Sequence, residues 1–365
     1  KMFKILKKII SFKLILKKPN KKKILIYDKE GSHFYNIFFP KKQYEILHVR
    51  YESINIYVTL LTLIKFGFKN FINNYKKCFI SLVSPKIVFT AIDNNPAFYK
   101  LKNINDKPYY VSFQNGMREG TFYKECQNYI RKTKQKLKCD YIFVFGNNEK
   151  KRLSKIIDAK IYSVGNAVNN YYQTKKRRNQ NKIISMMYIS IFNYRKGSLE
   201  EDKKIFNFLI DFCKKRKIKL TYGAKLGPDK EALFRDELNK GDWTYFPSGN
   251  PKKTYNYVNK QQLVVFTSST LGYESLAKGL KCAVFNKKFP IRGNYTKYPE
   301  SGFFWNKGKN EHEMEKVLNR VLNTSNKKWK EIASKYSFEI MSYDPKNKKV
   351  KKILKNILKE RIVVN

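Results

Sequence analysis

Short apolar runs recur along this chain, each too brief for a helix and too rich in Ile, Val, Phe and Tyr for a loop. In the first half they are KKKILIYDKEG (21–31), Tyr44–Val49, PKIVFTAID (85–93), KPYYVSFQNG (107–116), CDYIFVFG (139–146) and IYSVG (161–165). Helical stretches separate several of them, over 54–83 and 123–138 and again after Gly146. The second half repeats the alternation. IISMMYIS (183–190), KIKLTYGAK (217–225), WTYFP (243–247), QLVVFTSS (262–269) and KCAVFN (281–286) read as strands. KKIFNFLIDFCKKR (203–216), PDKEALFRDEL (228–238), TYNYVNK (254–260) and TLGYESLAKG (270–279) read as the helices between them. Apolar strands without polar alternation are buried on both faces, and strands alternating with helices pair in parallel. The pattern predicts an α/β chain with two successive Rossmann-like lobes.

The polar, basic stretch QTKKRRNQNK (173–182) interrupts the alternation and marks a linker. It divides an N-terminal lobe, 21–172, from a C-terminal lobe, 183–325. A basic segment, 1–20, precedes them, and helices over 326–365 close the chain. A cleft is expected between two such lobes.

Lys and Arg number 77 against 29 Asp and Glu, a net charge of +48. One reading is compositional, with Lys, Asn, Ile, Tyr and Phe all abundant. The other is a polyanionic partner, a membrane face or nucleic acid. No zinc finger, basic zipper or RNP-like aromatic motif appears, so nucleic acid is the less favoured partner. Five scattered cysteines lack metal spacing and suit a reducing cytosol. No apolar run approaches the roughly 20 residues that span a bilayer. The leader KMFKILKKIISFKLILKK carries no small-residue cleavage site, which argues against a secretory signal. Its apolar residues, spaced by lysines, fit a basic amphipathic helix on anionic lipid or a solvated leader.

The corner TSSTLGYESLAKG (267–279) carries the most chemistry. A helix starting there offers unpaired backbone N–H groups and the positive end of its dipole. Ser268, Ser269 and Thr270 add hydroxyl donors, and together these suit a phosphate. Glu274 lies one turn further in, placed to accept from a ribose hydroxyl. The competing reading is a plain N-cap at Ser269 or Thr270.

TSSTLGYESLAKGLKCAVF resembles the phosphate-binding corner of GT-B glycosyltransferases, above all bacterial enzymes using CMP-activated Kdo or sialic acids. KILIYDKEGS, ILHVRYESINIYV, SPKIVFTAIDNNPAFYKL, VSFQNGMREG, SVGNAVNN and GFFWNKG resemble the bacterial surface carbohydrate biosynthesis family, across about residues 23–308. The resemblance implies a GT-B-like fold and a cytoplasmic enzyme, peripheral on the inner membrane, of lipopolysaccharide or capsule assembly. It implies transfer of a sugar from a nucleotide donor, CMP-linked favoured, to a glycan or lipid-linked glycan. One departure concerns the His-Pro pair by which many CMP-sugar transferases contact the donor phosphate. The chain's three histidines are His33, His48 and His312, and the matching region reads YGAKLGPDKE, which leaves Lys225 to supply the charge.

Other residues fall at strand ends. Asp93 suits a general base or a nucleophile, with an Asx turn before Pro96 as the alternative. Glu30, beside Asp28 and Gly31, is a second candidate base. Asn94, Gln114, Asn115, Arg118, Glu119 and Arg292 suit an acceptor or sugar, with Arg118 able to clamp an anion bidentately. Arg195 follows the first strand of the second lobe and faces the donor in GT-B proteins. No DxD pair occurs in the sheet regions, so no metal or other cofactor is expected. A nucleotide-sugar epimerase of similar fold and a non-catalytic polyanion binder are the rival readings.

Overall fold

The computed structural model describes residues 13–50, 52–118, 120–172, 184–189, 198–224, 236, 238, 241–247, 249–286 and 298–360. The chain divides into two compact units, Lys1–Val168 with Asn347–Asn365, and Asn169–Lys346. The mixed α/β architecture with two parallel Rossmann-like sheets is the one the strand–helix alternation predicts.

In the first unit the strands are β1 (Lys13–Ile15), β2 (Ile24–Tyr27), β3 (Tyr44–Leu47), β4 (Ser53–Asn55), β5 (Ile87–Thr90), β6 (Tyr109–Phe113), β7 (Leu137–Val144) and β8 (Ile157–Ser163). Six of them form one sheet in the order β3-β2-β5-β6-β7-β8, every pair parallel. Its central strands are buried at every position of ILIY and IVFT, as apolar runs without alternation require. β1 and β4 make a separate parallel pair, Lys13 opposite Ser53.

The second unit carries β9 (Ser185–Ile189), β10 (Lys219–Gly223), β11 (Trp243–Phe246), β12 (Leu263–Phe266), β13 (Lys281–Phe285) and β14 (Trp305–Asn306). They are ordered β11-β10-β9-β12-β13-β14, again all parallel. In each sheet the chain works outward to one side of its first strand and then crosses to the other. The reversal falls between β2 and β5, and between β9 and β12. Ligands of open parallel sheets bind beyond the carboxyl ends of the strands at such a switch point.

Several helices are started by a side chain. Asn55 Oδ1 accepts from Val58 N at 3.0 Å and Asn95 Oδ1 from Ala97 N at 3.0 Å. Asn310 Oδ1 accepts from His312 N at 2.8 Å and Ser325 Oγ from Lys328 N at 3.2 Å. These bonds satisfy amides that the helix itself leaves open. The C-terminal helix Lys348–Glu360 belongs to the first unit, burying Val350, Leu354 and Ile357. Lys86 Nζ donates to Leu358 O there at 3.1 Å.

Three local expectations are corrected. The helix read over 123–138 runs Gly120–Thr133, because Lys134 turns left-handed at φ 58° and Leu137 already pairs in β7. Residues 53–55 are strand, the helix beginning only after the Asn55 cap. Lys13–Ile15, read within a basic amphipathic helix, are strand too, while residues 1–12 lie outside the described part. So do the linker 173–182 and most of PDKEALFRDEL.

Close packing of helix on strand fixes the corner after β12. A Cβ on Gly272 would stand 2.2 Å from the Phe266 ring, so only glycine lets this turn lie against β12. Gly272→Ala is expected to cost about 1–3 kcal/mol through overpacking, read as a lower denaturant midpoint at unchanged slope.

Candidate functional site

Beyond β12 the chain passes through Thr267 and Ser268, both buried, into the helix Thr270–Ala277. Ser269 is the cap residue, at φ −73° and ψ 135°, yet its side chain makes no capping hydrogen bond. That separates this helix from the Asn- and Ser-capped ones above. The Thr267 Oγ1 is buried without a hydrogen-bond partner, while the Thr267 carbonyl accepts from Asn286 Nδ2 at 3.0 Å. Ser269 and Thr270 are half-buried. Hydroxyls and first-turn amides thus meet at the carboxyl end of β12, beside the switch point.

Glu274 lies one turn inside, and the structure gives its carboxylate a partner within the chain. Tyr255 OH donates to Oε2 at 2.6 Å, and both side chains are buried. Tyr255 stacks on Tyr172 with ring centroids 5.4 Å apart, and Lys278 Nζ stands 5.0 Å over the Tyr255 ring. Burial pushes the Glu274 carboxyl up to about 7, against the pull of the Tyr255 hydrogen bond and Lys278. Burial likewise brings the Lys278 ammonium down to about 8, with Glu274 opposing. A ribose hydroxyl reaching Glu274 Oε2 has to displace the Tyr255 hydroxyl.

In the first unit, residues assigned one by one converge. Asp93, 2% exposed, accepts at Oδ2 from Arg118 Nε at 2.6 Å and at Oδ1 from Asn115 N at 3.1 Å. Arg118 Nη2 donates to Asp93 Oδ1 as well and to Asn115 Oδ1 at 2.6 Å. The bidentate clamp foreseen for a ligand is closed on Asp93. Tyr99 OH donates to Asp93 O at 2.7 Å and meets Ser112 Oγ at 3.0 Å, tying the end of β5 to β6. Gln114 makes a similar clasp, accepting from Phe145 N at 2.7 Å and donating to Gly116 O at 3.0 Å.

Glu30 is exposed after β2, its backbone N–H donating to Asp28 Oδ1 at 3.1 Å, and Asn94 is exposed after β5. Asp28 is anchored by Arg50 Nε at 2.7 Å. Gly31, at φ 81°, brings this loop against β5, where a Cβ would come within 2.9 Å of Ala91 Cβ. Glu119, Arg195, Lys225 and Arg292 lie outside the described residues.

Sequence reasoning missed Tyr255, Lys278 and Glu149. Glu149, in the first turn of Asn147–Leu153, is buried with Oε1 unpartnered, and Arg152 stands 3.9 Å from Oε2. Burial pushes it up to about 7, Arg152 drawing it back and Asp93 adding to the rise. Its sequence signal, an acid at a helix start, is indistinguishable from ordinary dipole compensation.

Residues 198–358 match the model of a family described as "putative O-antigen biosynthesis protein". No curated protein matches the sequence. Among solved structures, the chain is similar to a glycosyltransferase from Rickettsia africae at 14% identity and TM-score 0.55, covering 93% of this chain and 99% of that one. It is similar to a "putative UDP-N-acetylglucosamine 2-epimerase" from Listeria monocytogenes at 14% identity and TM-score 0.57, over 94% and 98%. A third is the UDP-GlcNAc 2-epimerase of Neisseria meningitidis bound to UDP-GlcNAc, at 10% identity and TM-score 0.53, over 96% and 100%. The fold is therefore the one shared by two-domain glycosyltransferases and these epimerases.

Glu149 and Glu274 both have folded values near 7, above the ordinary 4.5, so folding favours their protonated forms. Their contribution is complete below pH 4.5 and is lost as pH rises through 7, on the order of 3 kcal/mol each. The melting temperature is expected to fall between pH 5 and 8, and Glu149→Gln/Glu274→Gln is expected to flatten that slope. An equal slope in parent and variant would contradict the assignment.

Proposed function

We propose that this chain is a glycosyltransferase of bacterial surface-polysaccharide assembly, taking its sugar from a nucleotide donor held at the corner after β12. The observation that carries the reading is the cap position of Ser269. Its hydroxyl is free of its own helix, two residues after the unpartnered Thr267 Oγ1 and at the switch point of a parallel sheet. A donor phosphate accepting from the first-turn amides and from the Ser269 hydroxyl satisfies donors that the helix leaves open, with Ser268 and Thr270 beside it. The family match over 198–358 supports surface-carbohydrate chemistry, and the fold supports a nucleotide-sugar substrate. The resemblance of TSSTLGYESLAKGLKCAVF to enzymes using CMP-linked 2-keto sugar acids favours that donor class. Arg195 and Lys225 are proposed to supply charge to the donor, and Arg292 and Glu119 to act toward sugar or acceptor.

The base is assigned to Glu30 in preference to Asp93. Asp93 has both oxygens engaged by Arg118 and Asn115, whereas the Glu30 carboxylate is exposed at the carboxyl end of β2. A proton acceptor needs a lone pair within reach of the acceptor hydroxyl. Asp93, Arg118, Asn115 and Gln114 are then the frame that shapes the acceptor side, with Asn94 exposed beside it.

Thermal stabilisation by CMP, UDP, GDP and ADP at fixed salt tests the reading. One nucleotide is expected to stabilise selectively, by about 2.7 kcal/mol at 100 times its dissociation constant. Ser269→Ala is expected to weaken that binding about fivefold, at about 1 kcal/mol per lost hydrogen bond. Glu30→Gln is expected to keep the nucleotide shift and lose about 100-fold or more in transfer. Turnover of UDP-GlcNAc without an acceptor would replace the reading by an epimerase. Equal, salt-sensitive shifts with all four nucleotides would leave a polyanion binder.

A further inference from the structure

The helix Ile56–Phe66 is turned the wrong way for a helix that meets only water. Val58 and Thr62 point inward, both fully buried. At 100° per residue the opposite face carries Tyr57, Leu60 and Ile64, at positions i, i+3 and i+7. These are exposed, Leu60 at 55% and Ile64 at 82%. A helix packed on a core for stability alone would bury the leucine and isoleucine and expose the threonine.

The apolar face extends beyond the helix. Phe68, in the connection after Gly67, is 85% exposed, and Ile72 on the next helix, Phe71–Val83, is exposed as well. Leu14 and Leu16 flank the other end, where β1 pairs with β4 just ahead of the helix. Eight of the eleven large apolar side chains exposed among the described residues fall in this one region, residues 14–72. Surface apolar residues scattered singly need no explanation, but a continuous band does.

The rim along the helix is basic. Lys18 Nζ stands 5.8 Å over the Tyr57 ring and Lys77 Nζ 5.7 Å over the Phe66 ring. Lys65 and Lys69 are exposed beside them, and residues 53–92 contain no Asp or Glu at all. We infer that this face of the first unit, Tyr57, Leu60, Ile64 and Phe68 ringed by lysines, seats the protein on an anionic lipid bilayer. The apolar side chains enter the boundary between headgroups and acyl chains while the lysines meet lipid phosphates. A second copy of the chain is a poor occupant, since it brings the same positive rim against itself. Nucleic acid would answer the lysines and leave the leucine, isoleucine and phenylalanine without a partner. The inference stands apart from the nucleotide reading, which concerns the other unit.

Co-sedimentation of the full chain with phosphatidylcholine vesicles, with and without phosphatidylglycerol, tests it. The comparison is Ile64→Asp/Phe68→Asp, at two positions exposed enough that the melting temperature is expected to stay unchanged. The parent is expected to bind the anionic vesicles and the variant to bind them about tenfold or more weakly, with nucleotide stabilisation equal in both. Lys65→Gln/Lys69→Gln is expected to lose affinity for anionic vesicles and not for neutral ones. Equal partition of parent and paired aspartate variant would overturn the proposal, leaving the lysines a general polyanion surface. A parent that sediments as a dimer in solution, with a monomeric variant of unchanged vesicle binding, would overturn it in favour of self-association.

Discussion

Parallel pairing is the constraint from which the rest of this structure follows. Two strands that run the same way cannot be joined by a tight turn, so each pair obliges the chain to cross the sheet through a helix. All strands of a sheet then point their carboxyl ends to one edge, and every loop that leaves a strand collects there. Asp28, Glu30, Asp93, Gln114 and Glu149 come to one edge of the first sheet, and Thr267–Thr270 to the corresponding edge of the second, for this reason alone.

The two edges use their polar groups differently. In the first unit the polar side chains largely answer one another: Arg118 and Asn115 hold Asp93, and Gln114 bridges β6 to Phe145. Breaking such a buried pair from one side leaves a charge without a partner, so these residues define shape before they define chemistry. In the second unit, Tyr255 closes on Glu274 below the corner, whereas the corner itself keeps the Ser269 hydroxyl and Thr267 Oγ1 unengaged. An edge with open donors at a helix start is suited to an anion.

Much of this was legible in the sequence because periodicity reports burial on both faces of a strand. The runs ILIY, IVFT and LVVF are strands buried at every residue, and the alternation with helices gave the parallel sheets. Strand ends were legible too, so Asp93, Glu30 and the serine corner were found by position. Partnerships were not. That Arg118 closes on Asp93, 25 residues away, and Tyr255 on Glu274, 19 away, depends on tertiary placement that no local pattern encodes. The short strands β1, β4 and β14 were missed because two or three residues cannot show a period. The outward face of Ile56–Phe66 escaped notice because an apolar stripe at helical spacing reads the same whether it faces a core or solvent.

The corner after β12 is proposed as the seat of a nucleotide. Hydrogen–deuterium exchange of the full chain, with and without the most stabilising nucleotide, tests it most directly. Slowed amide exchange is expected to concentrate in residues 267–274, where phosphate takes up the open first-turn donors of the helix. Protection elsewhere in the chain with residues 267–274 unchanged would contradict it.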